Sequence, residues 1–324
     1  MLRVLALALV ATVLCAARSG AVNVGYYDMP LGAGNANQVP AISTLGHTPV
    51  QLFDLQSSDL SGIDVLLVQN PANGSYGAEY LSRLASIESA VSNGLILVLH
   101  DNYVTGAATV LPGGAAFTAQ RDLVAPGAND VNVLDATSPV VNGPAGVLSS
   151  TSLDGGGFSS HGYVRADTLP AGAKQILWRP DPGDASSRIR LVTFAYAHGD
   201  GAVLYSTLPL AVFLAGSGAN PPRDTFTGVY APNVVSYAAL LSGGAPDLSV
   251  TLTDNRSEAV PGTAVTYTLR VLNSGIGAAV GARVFGTFSP ALDGVAWTCA
   301  HSSGATCSAG GSGDINDLVD LPVG

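Results

Sequence analysis

The sequence predicts an α/β, doubly wound domain followed by an all-β sandwich. Three observations predict it. Up to about residue 100, strand-length apolar runs alternate with stretches of helical spacing. A Ser-Gly-Gly-Ala-Pro segment then interrupts the pattern at residues 242–246. Beyond it, apolar and polar residues alternate with a strict period of two. Composition agrees: charged residues are only 11%, against 39 Gly and 19 Pro, which favours short strands and tight turns over helical bundles. A chain of 324 residues is long enough for two domains.

Residues 1–21 have the pattern of a secretory signal. Arg3 precedes an apolar run from Val4 to Ala17, and Ser19-Gly20-Ala21 fits the small-x-small rule for cleavage. The run is short for a membrane span, although a retained anchor is the alternative. Cys15 raises a lipoprotein reading, for which Thr12-Val13-Leu14 makes a poor recognition sequence. The mature chain is therefore expected outside the cell or in its envelope, without a transmembrane segment.

The elements follow in order. Val22–Tyr27, Pro49–Phe53, Ile63–Gln69 and Leu95–Leu99 are strand candidates whose continuous apolar content suits a sheet covered on both faces. Asn37–Leu45 reads as a short helix. Tyr76–Val91 reads as a longer one, with apolar residues at Tyr80, Leu81, Leu84, Ile87, Ala90 and Val91. The resulting order β-α-β-β-α-β is how a flavodoxin-like domain begins. Residues 104–190 read as an insertion with small strands of its own, such as Gln175–Trp178. Arg190–Ala197 and Gly201–Thr207 form a hairpin turned at His198-Gly199-Asp200-Gly201. Pro232–Leu241 closes the domain at residue 242 as a helix. After a linker at 243–247, Leu248–Leu252 and Val265–Val271 alternate, with turns at Val260-Pro261-Gly262 and Asn273-Ser274-Gly275.

Net charge is −10, and an acidic surface repels phosphates, so nucleic-acid partners are not expected. No P-loop, GxGxxG after the first strand, HExxH, CxxC or EF-hand loop is present, and neither a cofactor nor a metal is expected. Cys299 and Cys307 remain after signal removal. In an exported protein such a pair is a disulfide by default.

The strings PDLSVTLTDN, VPGTAVTYTLRVLNSGIGAAVGARV and LDGVAWTCAHSSGATC resemble the conserved-repeat, Ig-like domains of bacterial surface proteins, over residues 246–324. The resemblance implies an Ig-like sandwich over 248–324, with a bridge between Cys299 and Cys307 and with a further strand after Gly324 that would make the present sandwich a truncated one. It implies adhesion, spacing or display at a surface, and no catalysis.

Residues 22–242 resemble a divergent class I glutamine-amidotransferase-like domain of the trehalose-utilisation branch. VNVGYYDM, IDVLLVQNP and SAVSNGLILVLHDN carry the resemblance. The nucleophile turn is then expected at His100 or Asp101, and the later histidine of the family is replaced near Thr207-Leu208-Pro209. Thiol chemistry needs a cysteine on that turn, and residues 22–242 contain none, which excludes a cysteinyl-thioester glutaminase.

What remains is a set of polar residues at strand C-termini, the edge where open α/β sheets bind ligands. His100 and Asp101 are the catalytic candidates. Asp28, Asn70, Asn102 and His161 are the ligand-binding candidates, His161 lying in a Gly-rich loop from which it could approach His100. The structural alternative is that all of them cap helices and satisfy loop hydrogen bonds. The leading expectation is a non-catalytic surface or extracellular protein. Its α/β domain would bind a small ligand, a cell-surface glycan or a protein partner, and its sandwich would be a spacer or adhesive unit. The alternative is a secreted hydrolase or sugar-modifying enzyme using His100 and Asp101, with or without a metal, since a histidine and a carboxylate can bind a metal or move a proton.

Overall fold

A computed structural model of the protein describes residues 11–14, 21–30, 36–123, 131–155, 159–184, 186–217, 222–242, 248–256, 262–273, 279–302 and 304–321. The chain forms two compact units. One is Ser19–Ser242; the other joins Met1–Arg18 to Gly243–Gly324. The linker 243–247, most of the signal and the turn residues Val260, Pro261, Ser274 and Gly275 lie outside the described residues.

Strand β1 (Ala11–Leu14) belongs to the second unit. The first unit opens with β2 (Asn23–Asp28), α1 (Val39–Ser43), β3 (Thr48–Gln51), β4 (Val65–Asn70), α2 (Ala78–Ser82), α3 (Leu84–Ser92) and β5 (Ile96–Asp101). This is the expected β-α-β-β-α-β order. The predicted Tyr76–Val91 helix is two helices, broken at Arg83, where the backbone leaves the helical region at φ −106° and ψ 1°. The Arg83 guanidinium there donates to the carbonyls of Gln56 and Ser58, at 2.7 and 3.1 Å. Phe53, predicted to end a strand, lies beyond β3 and is exposed.

Next come α4 (Ala107–Val110) and the insertion strands β6 (Ala119–Arg121), β7 (Asn132–Val133), β8 (Asn142–Gly143), β9 (Gly146–Val147), β10 (Gly162–Arg165) and β11 (Lys174–Trp178). The hairpin β12 (Arg190–His198) and β13 (Gly201–Ser206) follows. Its turn is tight because Gly199 adopts φ +61°, a conformation costly for other residues. At Gly201 a Cβ would sit 2.3 Å from the carbonyls of Val91 and Leu95, so the close approach of the hairpin to the end of α3 at this position requires glycine. Helices α5 (Leu210–Leu214), α6 (Arg223–Thr225) and α7 (Ala231–Ser242) complete the unit. A π-helical turn at Phe226–Tyr230 precedes α7. Pro232 has no N–H to return to that turn, so a wider spacing there sacrifices no donor.

One ten-stranded sheet results, with the path β3-β2-β4-β5-β13-β12-β10-β6 and with β11 and β7 attached through β12. The first five strands are parallel, in the order second, first, third, fourth, last, which is a flavodoxin-like arrangement. The rest are antiparallel, so the sheet is mixed. Strands β4, β5 and β13 are buried at every position, as a sheet covered on both faces requires. One face carries Leu66, Val68, Leu97, Leu99, Val203 and Tyr205 against Tyr80, Ile87 and Val91 of α2 and α3. The other meets α1, α5 and α7.

The second unit is all-β. Its sheets are β1-β16-β19, β14-β15 and β17-β18, where β14 is Leu248–Thr253, β15 Thr268–Asn273, β16 Ala279–Gly286, β17 Ala296–Thr298, β18 Gly310–Ser312 and β19 Ile315–Leu321. Burial in β14 alternates residue by residue, as its sequence predicts. Ala279, Ala282, Val284 and Val319 form a small core, with Leu248, Leu269, Val271 and Cys307 packed on it. Cys299 and Cys307 are joined by a disulfide, their Cα atoms 6.3 Å apart. One feature departs from the sequence expectation. Ala11–Leu14, inside the predicted signal, is paired with β16 (Ala11 with Gly286 through Leu14 with Arg283). The outer edge of β16 offers unpaired backbone groups, and an extended apolar segment satisfies them.

Candidate functional site

Parallel registry brings the strand-end residues into rows. Asp28 of β2 pairs with Gln69 of β4, Gln69 with His100 of β5, and His100 with Ser206 of β13. Ser206 in turn pairs with Thr193 of β12. Residues paired across strands share a face, so these five side chains form one polar row across five strands. The next register pair, Asn70 with Asp101, faces the other way.

The row is hydrogen-bonded nearly end to end. Asp28 Oδ1 accepts from Gln38 Nε2 at 2.8 Å, and Gln38 Oε1 accepts from Gln69 Nε2 at 3.3 Å. Gln69 Nε2 also lies 3.4 Å from His100 Nδ1. His100 Nε2 lies 3.1 Å from the Tyr230 hydroxyl, which donates to Ser206 Oγ at 3.0 Å; Ser206 Oγ is 2.9 Å from Thr193 Oγ1. Since Tyr230 gives its proton to Ser206, it accepts from His100. That fixes the tautomer with the proton on Nε2 and leaves Nδ1 to accept from Gln69. His100 is 3% exposed, and burial lowers its pKa to about 3, so the ring is neutral. Gln69 Oε1 is buried without a hydrogen-bond partner among the described residues. A small cavity lined by Gln38, Gln69, His100, Leu67, Leu210 and Val235 lies at this place.

Asp101, on the opposite face, belongs to a separate network. Its Oδ1 accepts from Asn70 Nδ2 and the Tyr103 N–H, both at 2.9 Å. Its Oδ2 accepts from the Tyr76 hydroxyl at 2.8 Å, the Tyr205 hydroxyl at 2.9 Å and the Val104 N–H at 3.1 Å. Complete burial pushes its pKa up, and the hydrogen bonds pull the other way. With five donors converging on two oxygens, the form this site accommodates is the carboxylate.

The sharp turn of this segment is not at His100 or Asp101. Both lie within β5, and the positive φ falls on Val104, at +57°. A β-branched residue there is strained, and the Asp101 carboxylate holds the turn by its grip on two successive N–H groups. Val104 carries no nucleophile and is fully buried.

Asn102 and His161 form a third group. The Asn102 carbonyl accepts from Arg121 Nε at 3.2 Å and faces His161 Nδ1 at 3.3 Å, while Asn102 Nδ2 donates to the Pro71 carbonyl at 3.2 Å. His161 is not in an open loop. It is buried, its N–H is bonded to the Thr207 carbonyl at 2.8 Å, and burial first, then the Arg121 charge, lowers its pKa to about 4. Asp28 alone among these residues is half-buried. Burial raises its carboxyl to about 6 against the opposing bonds from the Ala36 N–H and Gln38.

The six candidates thus fall into three sets, and among the described residues no three His, Cys, Asp or Glu side chains could hold a metal ion. Gln38, Gln69, Tyr230, Ser206 and Thr193, which complete the His100 row, and Tyr76 and Tyr205, which complete the Asp101 site, are not among the residues expected from sequence. One signal was available. VLLVQ, LILVLH and AVLYS are apolar runs that each end in a polar residue at the same depth of a parallel sheet.

No protein-family model and no curated protein sequence matches the chain. Solved structures similar to it include a cytoplasmic protein of Salmonella typhimurium (TM-score 0.45, 12% identity, 68% of this chain and 98% of that one). A glutamine amidotransferase of Methylobacillus flagellatus has TM-score 0.42 and 11% identity over 68% of this chain and 95% of its own. A β-galactosidase of Rahnella has TM-score 0.39 and 12% identity over 93% of this chain and 41% of its own.

Proposed function

We propose that this is an exported, non-catalytic surface or extracellular protein. Its α/β unit is an amidotransferase-like scaffold whose strand-end chemistry has become internal support, and which engages a small ligand, a glycan or a protein partner. Its second unit is an Ig-like spacer or adhesive module. The observation carrying the reading is that His100 and Asp101 sit on opposite faces of one strand, each buried and engaged by protein groups. A general acid or base must reach the proton it moves, and neither residue is open to a substrate. The apolar Val104 on the strained turn supports the same reading.

The test is a thermal-shift screen of the mature chain (residues 22–324) against metals and sugars, run beside a panel of glycosides and esters. A ligand that stabilises the fold, with no turnover, is the expected result. Turnover that His100→Gln abolishes while the variant stays folded would replace this reading with the hydrolase alternative.

A further inference from the structure

We propose that the outer edge of β16 is a strand acceptor. Once the leader is gone, it takes an extended, uncharged, apolar segment of another polypeptide as an antiparallel strand. The inference rests on the export reading, because the edge becomes free only if residues 1–21 are removed.

The segment seated on this edge is Ala11–Leu14, Ala-Thr-Val-Leu, paired residue for residue with Arg283–Gly286. On its other side the same stretch of β16 pairs with β19, Arg283 with Leu318 through Gly286 with Ile315. The edge is thus the open side of a formed sheet, and a strand added there finds its partners fixed in place. Affinity in such additions comes from main-chain hydrogen bonds and selectivity from alternate side-chain positions. The chemistry of the occupant follows from β16. Ala282 and Val284 are buried in the core of the unit, so an incoming strand places every second residue beside that core. A charge at such a position would be buried without a partner. The seated tetrapeptide carries none and includes two β-branched residues, which favour a strand. In the precursor the leader would occupy the edge itself, shielding it from edge-to-edge association until cleavage.

The experiment uses the exported protein and a synthetic peptide of residues 9–14 with a solubilising lysine tail, read by amide hydrogen exchange and titration. The expected result is saturable binding, with amides of Arg283–Gly286 that face the edge exchanging about tenfold or more slowly in its presence. A Val13→Asp peptide, which places a charge at the position paired with the buried Val284, should not bind. Absence of binding and of protection would overturn the proposal. Protection that appears without peptide and grows with protein concentration would assign the edge to a second copy, and would overturn it too. The intact mass of the exported protein separately reads the leader. A chain that keeps residues 1–21 refutes the export-and-cleavage reading, whereas the peptide titration on residues 22–324 tests the acceptor itself.

Discussion

The imidazole of His100 and the ring of Tyr230 meet edge to face, centroids 5.6 Å apart, with Nε2 3.1 Å from the hydroxyl, although 130 residues separate them in sequence. The contact fixes the last helical segment of the α/β unit to the centre of its sheet. It also determines what losing His100 means.

His100→Ala should destabilise the α/β unit by about 3 kcal/mol, from the cavity it opens and the polar partners, Tyr230 and Gln69, it strands. Chemical denaturation read by circular dichroism measures this. A change under about 0.5 kcal/mol, the range of an ordinary surface substitution, would contradict the structural role.

The same residue sets a pH dependence. The folded His100 pKa is lowered to about 3, and that of His161 to about 4, from an unfolded value of 6.5. Between these limits the unfolded chain binds more protons than the folded one, so their contribution is complete above pH 6.5 and declines as pH falls toward 4. Relative to wild type, His100→Gln should lose less stability between pH 6.5 and pH 4. Parallel profiles would refute the assignment.

Asp28 acts in the opposite sense. Its folded pKa is raised to about 6 from an ordinary 3.8, so the folded state binds the extra proton between those values. Its contribution is complete below pH 3.8 and is lost as pH rises through 6. Asp28→Asn should therefore lack a gain of about 2 kcal/mol that wild type makes on going from pH 7 to pH 4. The difference between the two denaturation profiles isolates it from the histidines.

Asp101→Asn replaces an acceptor of five hydrogen bonds with a group that must donate two. A loss of about 3 kcal/mol is expected. Tyr205→Phe removes one donor from the same site and should cost about 1–2 kcal/mol. If Asp101→Asn is as stable as wild type, the carboxylate form is not what the site was built for.

Strands β4 and β5 were legible as nearly unbroken apolar runs, β3 (Thr-Pro-Val-Gln) less so, and the hairpin because two such runs flank a Gly-rich turn. In the second unit alternation made β14 legible, but β15 begins at Thr268 and not at Val265, and β16 to β19 were not read from the sequence. The break at Arg83 was not legible, because both halves of Tyr76–Val91 keep helical spacing, and the carbonyls of Gln56 and Ser58 that the Arg83 side chain meets there are remote in sequence. Nor was the division of the candidate site. Adjacent residues such as His100 and Asp101 read as a pair in one dimension, but a pleated strand sends them to opposite faces. Tyr230 and Ser206 were invisible as partners of His100 because nothing local joins residues so far apart.

Strand β13 pairs in parallel with β5, Ala202 beside Ile96, and the whole insertion from α4 to β12 lies between them. Bringing such distant segments together carries a loop-closure entropy that only the finished pairing offsets. The polar row cannot close until that happens, since Ser206 and Tyr230 both arrive from the far side of the gap. The three strands β2, β4 and β5 can therefore assemble early while their polar ends remain wet. The exclusion of water from His100 then belongs to the last stage of folding, and the rate at which its ring becomes protected would time that stage.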